Sequence, residues 1–266
     1  MNKAFTILRS TIAGLIIIPN IAINCLLVVL TMPFGHKVQY KFAKAYSHVG
    51  HYVLSWVTGL KYEIVGEENL PDTASVVYMK HQSAWETITI FRIVPQFVIV
   101  LKRELMAIPL FGHALKSIKM IDIDRSSGTS AVKQVIEKGT ERLRDGLWVS
   151  IFPEGTRMMY GRTRRFGKSG ALLAKEAGVP LVVIAHNAGE FWGKKTLMVN
   201  PGKIKVIIGE PIMPDGKSAD EMLEQASTWM ETTMRENFPE YKKLADYYAG
   251  LQLDDDGGNF QTKKSS

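Results

Sequence analysis

What most constrains this chain is a gap in its charge. Between Arg9 and Lys37 there is no Lys, Arg, Asp or Glu, and the middle of the gap reads TIAGLIIIPNIAINCLLVVL. About 20 such residues in a helix reach across the ~30 Å hydrocarbon core of a bilayer, so the stretch must be covered by lipid or by protein. Three membrane readings compete: a cleaved signal peptide, a straight span, and a bent or re-entrant element. The first is disfavoured because the apolar part is long and no A-x-A-like site follows it. Pro19, Asn20 and Asn24 sit mid-segment, where they leave or add polar groups in lipid, which favours a kinked or shallowly inserted helix over a clean span. A second apolar stretch, YSHVGHYVLSWVTGL, follows Lys37, Lys41 and Lys44. The expectation is a membrane-associated pair of helices over residues 1–60, with a single true span and a buried core helix as the alternatives.

From Lys61 onward the pattern changes. Short β-branched runs alternate with helical spacing, the mark of an α/β domain. The predicted strands are YEIV, SVVYM, FVIVL, MIDI, LWVSIF, LVVIA and IKVII. Ala131, Val132, Val135, Ile136 and Leu143 recur at helical spacing, with Gly146 placed to end that helix. Further on, SADEMLEQASTWMETTMRENF opens with Ser218 and Glu221 as a capping box, so it reads as a long amphipathic helix. The fold class is therefore α/β, a mostly parallel or mixed central sheet flanked by helices over residues 61–253. The polar, aperiodic residues 254–266 are expected to form a disordered tail.

Hydrophobic residues make up 46% of the chain, enough for one good-sized core, which excludes a disordered or fibrous protein. Lys plus Arg number 33 against 26 Asp plus Glu, a net charge of +7 that calls for an anionic partner. Nucleic acid, phosphorylated metabolites and anionic lipid all qualify by charge. The membrane segment makes lipid the simplest of them, so no nucleic acid is expected. The lone Cys25 permits no intrachain disulfide, and the globular part reads as cytoplasmic.

Four strand ends carry chemistry. After SVVYM the chain continues KHQSAWET, placing His81 in the loop beyond an apolar strand, where sites in open α/β sheets usually lie. A neutral imidazole takes a proton from a hydroxyl near pH 7 when an acid fixes its tautomer, and Glu86 is within reach. On one continuous helix, residues five apart diverge by roughly 140°, so His81 has to sit on the loop and reach back over the first turn. Ser83 with Glu86 also fits S-x-x-E. Glu86 as a plain helix cap therefore stands as the alternative. The run IFPEGTR ends another strand, and with Arg162, Arg164, Arg165 and Lys168 behind it the loop is strongly cationic. Gly155 permits close backbone approach, Thr156 offers a hydroxyl and Arg157 a bidentate guanidinium, as a phosphate requires. A solvated basic loop lying on an acidic membrane is the competing reading. Lys102 follows a third strand, and Asp124 and Arg125 end a fourth.

Taken in order, these blocks resemble the glycerolipid acyltransferases, most closely the bacterial enzymes acting on 1-acyl-sn-glycerol 3-phosphate. The resemblance covers roughly Val65 to Ile212. The H-x-x-x-x-D block is matched by His81 with Glu86 in place of the acid, one methylene longer. The I-D-R-like block is matched by IDIDR and Arg125, the F-P-E-G-T-R block without change from Phe152 to Arg157, and the V-P-hydrophobic block by VPLVVIA around Pro180. The resemblance implies that His81 deprotonates the sn-2 hydroxyl of a lysophosphatidate, which attacks an acyl thioester, while Glu86 orients and charge-balances the imidazole. It implies that Arg125, Glu154, Gly155, Thr156 and Arg157 bind the acceptor's phosphate end, with Lys102 as a helper. The donor would be acyl-CoA or an acyl carrier protein, with no cofactor and no metal. The setting would be the inner (cytoplasmic) membrane, with the catalytic domain facing the cytoplasm.

Other motifs fail on spacing. In GRTRRFGKS five residues separate Gly161 from Gly167 where a P-loop needs four. GKSGA places Ala171 where a G-x-S-x-G elbow needs glycine. The six histidines show no H-E-x-x-H, and there is no paired cysteine to suggest a metal site. Acyltransferases using glycerol 3-phosphate or another lysophospholipid remain as alternatives, as does a non-catalytic module binding lipid phosphate. A histidine beside an acid separates the enzyme from the module.

Overall fold

The computed structural model describes residues 2–250, so the expected tail at 254–266 lies outside the described residues. The strands are β1 (Leu60–Val65), β2 (Val76–Met79), β3 (Phe97–Lys102), β4 (Ile121–Ile123), β5 (Trp148–Ile151), β6 (Leu181–His186) and β7 (Gly202–Ile208). Each falls on a run read as a strand from the sequence. The helices are α1 (Lys3–Leu30), α2 (His36–Val53), α3 (Trp85–Ile93), α4 (Phe111–Ser117), α5 (Thr129–Arg144), α6 (Ser169–Ala177), α7 (Ala188–Phe191), α8 (Ala219–Asn237) and α9 (Pro239–Ala249).

The strands form one sheet in the order β1-β7-β6-β2-β5-β3-β4. Every neighbouring pair is parallel except β6 and β7, so the sheet is mixed and mostly parallel. The central strands β2, β5 and β6 are buried at every position, which is why they read as unbroken apolar runs rather than alternating ones. Helices α5, α6 and α8 pack side by side and onto these strands. The contact of α6 with β2 depends on Gly170: a Cβ there would come within 2.2 Å of the Tyr78 ring. The Tyr78 hydroxyl donates to the Gly167 carbonyl and accepts from the Ala171 N–H, fastening the start of α6 to β2. The Ser218–Glu221 capping box is present at the head of α8, and Met222, Ala226, Met230 and Met234 form its buried stripe.

The two N-terminal helices form a hairpin, and α1 also packs on α4. Thr6, Ala13, Ile17, Asn24 and Val28 lie on one stripe of α1 and are buried. Among the described residues α1 is the helix long and apolar enough to cross a membrane. It nevertheless lies along the domain, and Ala13, Ile17, Val28, Ala43 and Val53 belong to the same hydrophobic core as the sheet. The helix runs without a break through Pro19. The polar groups that argued for a bend are satisfied within the hairpin. The Asn20 side chain donates to the Tyr46 carbonyl (3.1 Å), and that of Asn24 to Asn20 Oδ1 (2.8 Å). Leu15, Ile18, Ile23 and Leu26 on the other faces of α1, and Tyr52 and Trp56 after them, stay exposed. An apolar surface of this extent on a charged protein marks a contact with lipid or another protein.

Candidate active site

Because β2, β5, β3 and β4 are parallel, their carboxyl ends share one edge of the sheet, the edge at which ligands bind in such folds. His81 follows β2, Phe152 to Arg157 follow β5, Lys102 ends β3 and Arg125 follows β4. The loops after β2 and β5 are also tied directly, the Met158 N–H donating to the His81 carbonyl at 2.7 Å.

Glu86 makes the contacts that both of its readings require. Its Oε2 lies 2.7 Å from His81 Nδ1, and its Oε1 accepts from the N–H groups of Gln82 (2.8 Å) and Ser83 (2.6 Å). The carboxylate is fully buried and so anchored, and it turns the imidazole with Nδ1 toward itself and Nε2 away. The capping box expected here is only half formed. Ser83 Oγ accepts from the Trp85 N–H, and α3 starts at Trp85. The His81 ring lies flat on Phe152, with centroids 3.9 Å apart and planes 16° apart, which fixes the ring's second degree of freedom.

Beneath this pair is His186, the last residue of β6 and wholly buried. The Ala188 N–H donates to its Nδ1 (3.2 Å), so the proton sits on Nε2, which donates to the Lys80 carbonyl (2.8 Å). Nε2 is also 3.6 Å from Glu86 Oε1. Burial lowers the His186 pKa from its ordinary value, against the pull of Glu86 and the Lys80 carbonyl, and this agrees with the neutral tautomer the bonds require.

Glu154 does not join the phosphate cluster. It is turned inward and pairs with Lys80 at 3.1 Å, both side chains fully buried, with Lys80 Nζ over the Tyr241 ring. Glu154, expected beside the acceptor's phosphate, is thus held in the Lys80 pair and is not among the residues that line the cavity. The other cationic and loop residues do converge. A cavity of about 540 Å³ is lined at its polar end by His81, Lys102, Arg125, Gly155, Thr156 and Arg157. Arg125 donates through Nη1 to the Gly155 carbonyl, and Gly155 adopts the left-handed turn (φ 70°) that a side chain would strain. The rest of the cavity is mostly apolar and runs between α1, α2, α3, α4 and β3, past Val28, Ala43, Phe91, Val100 and Leu115, with Asn24, Tyr46 and Thr87 as its polar members.

The profile of the acyltransferase family matches residues 61–187. Over 218 residues the chain is 38% identical to the 1-acyl-sn-glycerol-3-phosphate acyltransferase of Pseudomonas aeruginosa, covering 80% of this chain and 84% of that one. The chain belongs to the acyltransferase family. A relative of the same name from Cocos nucifera is 29% identical over 71% of this chain, which spans 61% of that longer protein. The crystal structure of the LPA acyltransferase PlsC from Thermotoga maritima shares the fold, with a TM-score of 0.74 at 23% identity over 89% of this chain and 97% of that one.

Sequence reasoning about this acyltransferase missed Lys80, His186, the stacking face of Phe152 and the helical walls of the cavity. A signal existed for His186: it ends the apolar run LVVIAH just as His81 closes off VVYMK.

Proposed function

We propose that the chain transfers an acyl group from a thioester to the sn-2 hydroxyl of lysophosphatidate, making phosphatidate. The observation that carries this reading is the His81–Glu86 pair, opening onto a cavity that is cationic at one end and mostly apolar along the rest. His81 Nε2 takes the hydroxyl proton as the acceptor oxygen bonds to the thioester carbonyl carbon. The C–S bond then breaks, and the departing sulfur takes that proton from the imidazolium and leaves as a thiol. Glu86 supplies the counter-charge and enforces the tautomer, as the acid of a hydrolytic triad does. Lys102, Arg125, Thr156, Arg157 and the Gly155 backbone hold the acceptor's phosphate, with guanidinium the group best matched to it. Glu154 acts one step removed, by bracing the β2 and β5 loops through Lys80. The acyl chain lies in the apolar part of the cavity, the exposed face of the hairpin rests in the membrane, and the domain faces the cytoplasm. Coenzyme A and acyl carrier protein both suit the donor.

The test is a matrix of acceptors (lysophosphatidate, glycerol 3-phosphate, other lysophospholipids) against both thioester carriers, read as thiol release and product formation. Thiol release with lysophosphatidate and a phosphatidate product support the assignment. Release only with another acceptor changes the substrate. Lysophosphatidate binding without thiol release from either carrier makes the chain a binding module.

A further inference from the structure

Residues 192–199 form a loop that the site does not use. Its base is closed by the Asn200 N–H donating to the Phe191 carbonyl, and its interior is tied by the Trp192 indole N–H to the Thr196 carbonyl and by the Met198 N–H to Thr196 Oγ1. At the tip of this braced loop Leu197 is 90% exposed, the most exposed of the large hydrophobic side chains among the described residues. Just before it come Lys194 and Lys195. Two residues after it, the Val199 N–H donates to Ser10 Oγ of α1 at 2.9 Å, so the tip projects beside the turns of α1 whose Leu8 and Ile12 are also exposed.

Lys194 also feels the charge of Arg157, which lines the cavity's cationic end. The Lys194 ammonium is lowered from its ordinary pKa first by partial burial and then by repulsion from Lys195, Arg157 and Arg162, all of them cations. A folded loop that carries two lysines beside an exposed leucine fits a surface that is anionic outside and apolar just beneath. A phosphorylated thioester carrier would satisfy the cations but leave Leu197 in water. A lipid surface answers both.

We propose that the 192–199 loop is a second membrane contact, with Leu197 inserted among the acyl chains of an anionic bilayer and Lys194, Lys195 and Arg162 among its phosphates. The inference rests on the reading of the α1–α2 hairpin as membrane-associated and extends that contact to the loop fastened beside the start of α1. It puts Arg157 at headgroup depth, so that the phosphate of a membrane-resident acceptor meets it without leaving the bilayer.

The test uses the full chain carrying Cys25→Ser and Leu197→Cys, labelled at position 197 with a polarity-sensitive fluorophore. It is mixed with vesicles of phosphatidylethanolamine and phosphatidylglycerol, and total binding is read by co-sedimentation. The expected result is blue-shifted emission that lipids brominated near the top of the acyl chain quench. Each lysine near an anionic surface contributes roughly fivefold, so adding Lys194→Ala and Lys195→Ala should lower the ratio of inserted to free label by about 30-fold while the hairpin keeps the protein on the vesicles. Water-like emission from protein that does co-sediment overturns the loop contact and leaves the hairpin reading standing. Protein that does not co-sediment removes both. An emission change produced by acyl-CoA or acyl carrier protein without vesicles makes the loop a donor dock and also overturns the proposal.

Discussion

Lys80 and His81 are neighbours in the chain, and each is paired with a glutamate, yet the two pairs are built to opposite ends. Leaving β2, the chain sends Lys80 into the core, where it meets Glu154 with no exposure on either side chain. The next residue emerges on the other face, where His81 keeps 16% of its side chain open while its partner Glu86 is sealed. Only the second pair has one member that is anchored and one that is accessible. That asymmetry is what base catalysis needs, since the acid must not compete for the substrate and the base must reach it. A pair enclosed at both ends reaches no substrate and instead fixes the two loops that carry the site.

The contrast can be broken from either side. The largest effect belongs to His81→Ala: a positioned base supplies ~10²- to 10⁴-fold in rate, so kcat should fall by that much with the melting temperature almost unmoved. Near-normal turnover in the folded variant would remove the mechanism. Next is Lys80→Met, which strands a buried carboxylate and should cost about 3–5 kcal/mol of stability. Adding Glu154→Leu should recover most of that loss, as apolar replacement of a buried pair often does. A rise in the acceptor KM at unchanged stability would instead return Glu154 to the phosphate site. Arg157→Ala removes a charged hydrogen bond worth about 1.5–3 kcal/mol and should raise the acceptor KM by roughly 10- to 150-fold, with the thioester KM little changed. Should the thioester KM rise instead, the cationic end serves the donor. Finest is Glu86→Gln. Its amide oxygen can still accept from Gln82 and Ser83, but its charge is gone and its NH2 group no longer enforces the proton on Nδ1. A drop in kcat of roughly tenfold or more at nearly constant melting temperature is expected, since the cap costs only a few tenths of a kcal/mol when an acceptor remains. Normal turnover would make Glu86 a helix cap alone.

The seven strands and the capped α8 are legible in the sequence because local chemistry dictates them: β-branched runs between turn residues, and Ser218 with Glu221 three residues on. The convergence of His81, Lys102, Arg125 and Arg157 is legible too, since parallel strands deliver their carboxyl ends to one edge. What the sequence does not reveal is which way a charge points. Nothing around Glu154 says that its partner is a lysine some seventy residues earlier. The hairpin shows the same limit. Asn20 and Asn24 look like interruptions when only lipid is considered, and become ordinary once Asn20 reaches the Tyr46 carbonyl of α2 and Asn24 bonds back to Asn20.

The cavity between α1, α2 and the sheet has a thermodynamic consequence as well as a chemical one. A chain held there touches the hairpin on one side and β3 and α4 on the other, so its binding energy is also adhesion between the two. By mass action a ligand at roughly 100 times its Kd adds about 2.7 kcal/mol to whatever state it requires. The loaded protein therefore grips its own N-terminal helices harder than the unloaded one does. By the same linkage, whatever holds those helices against the domain tightens the acyl group in return.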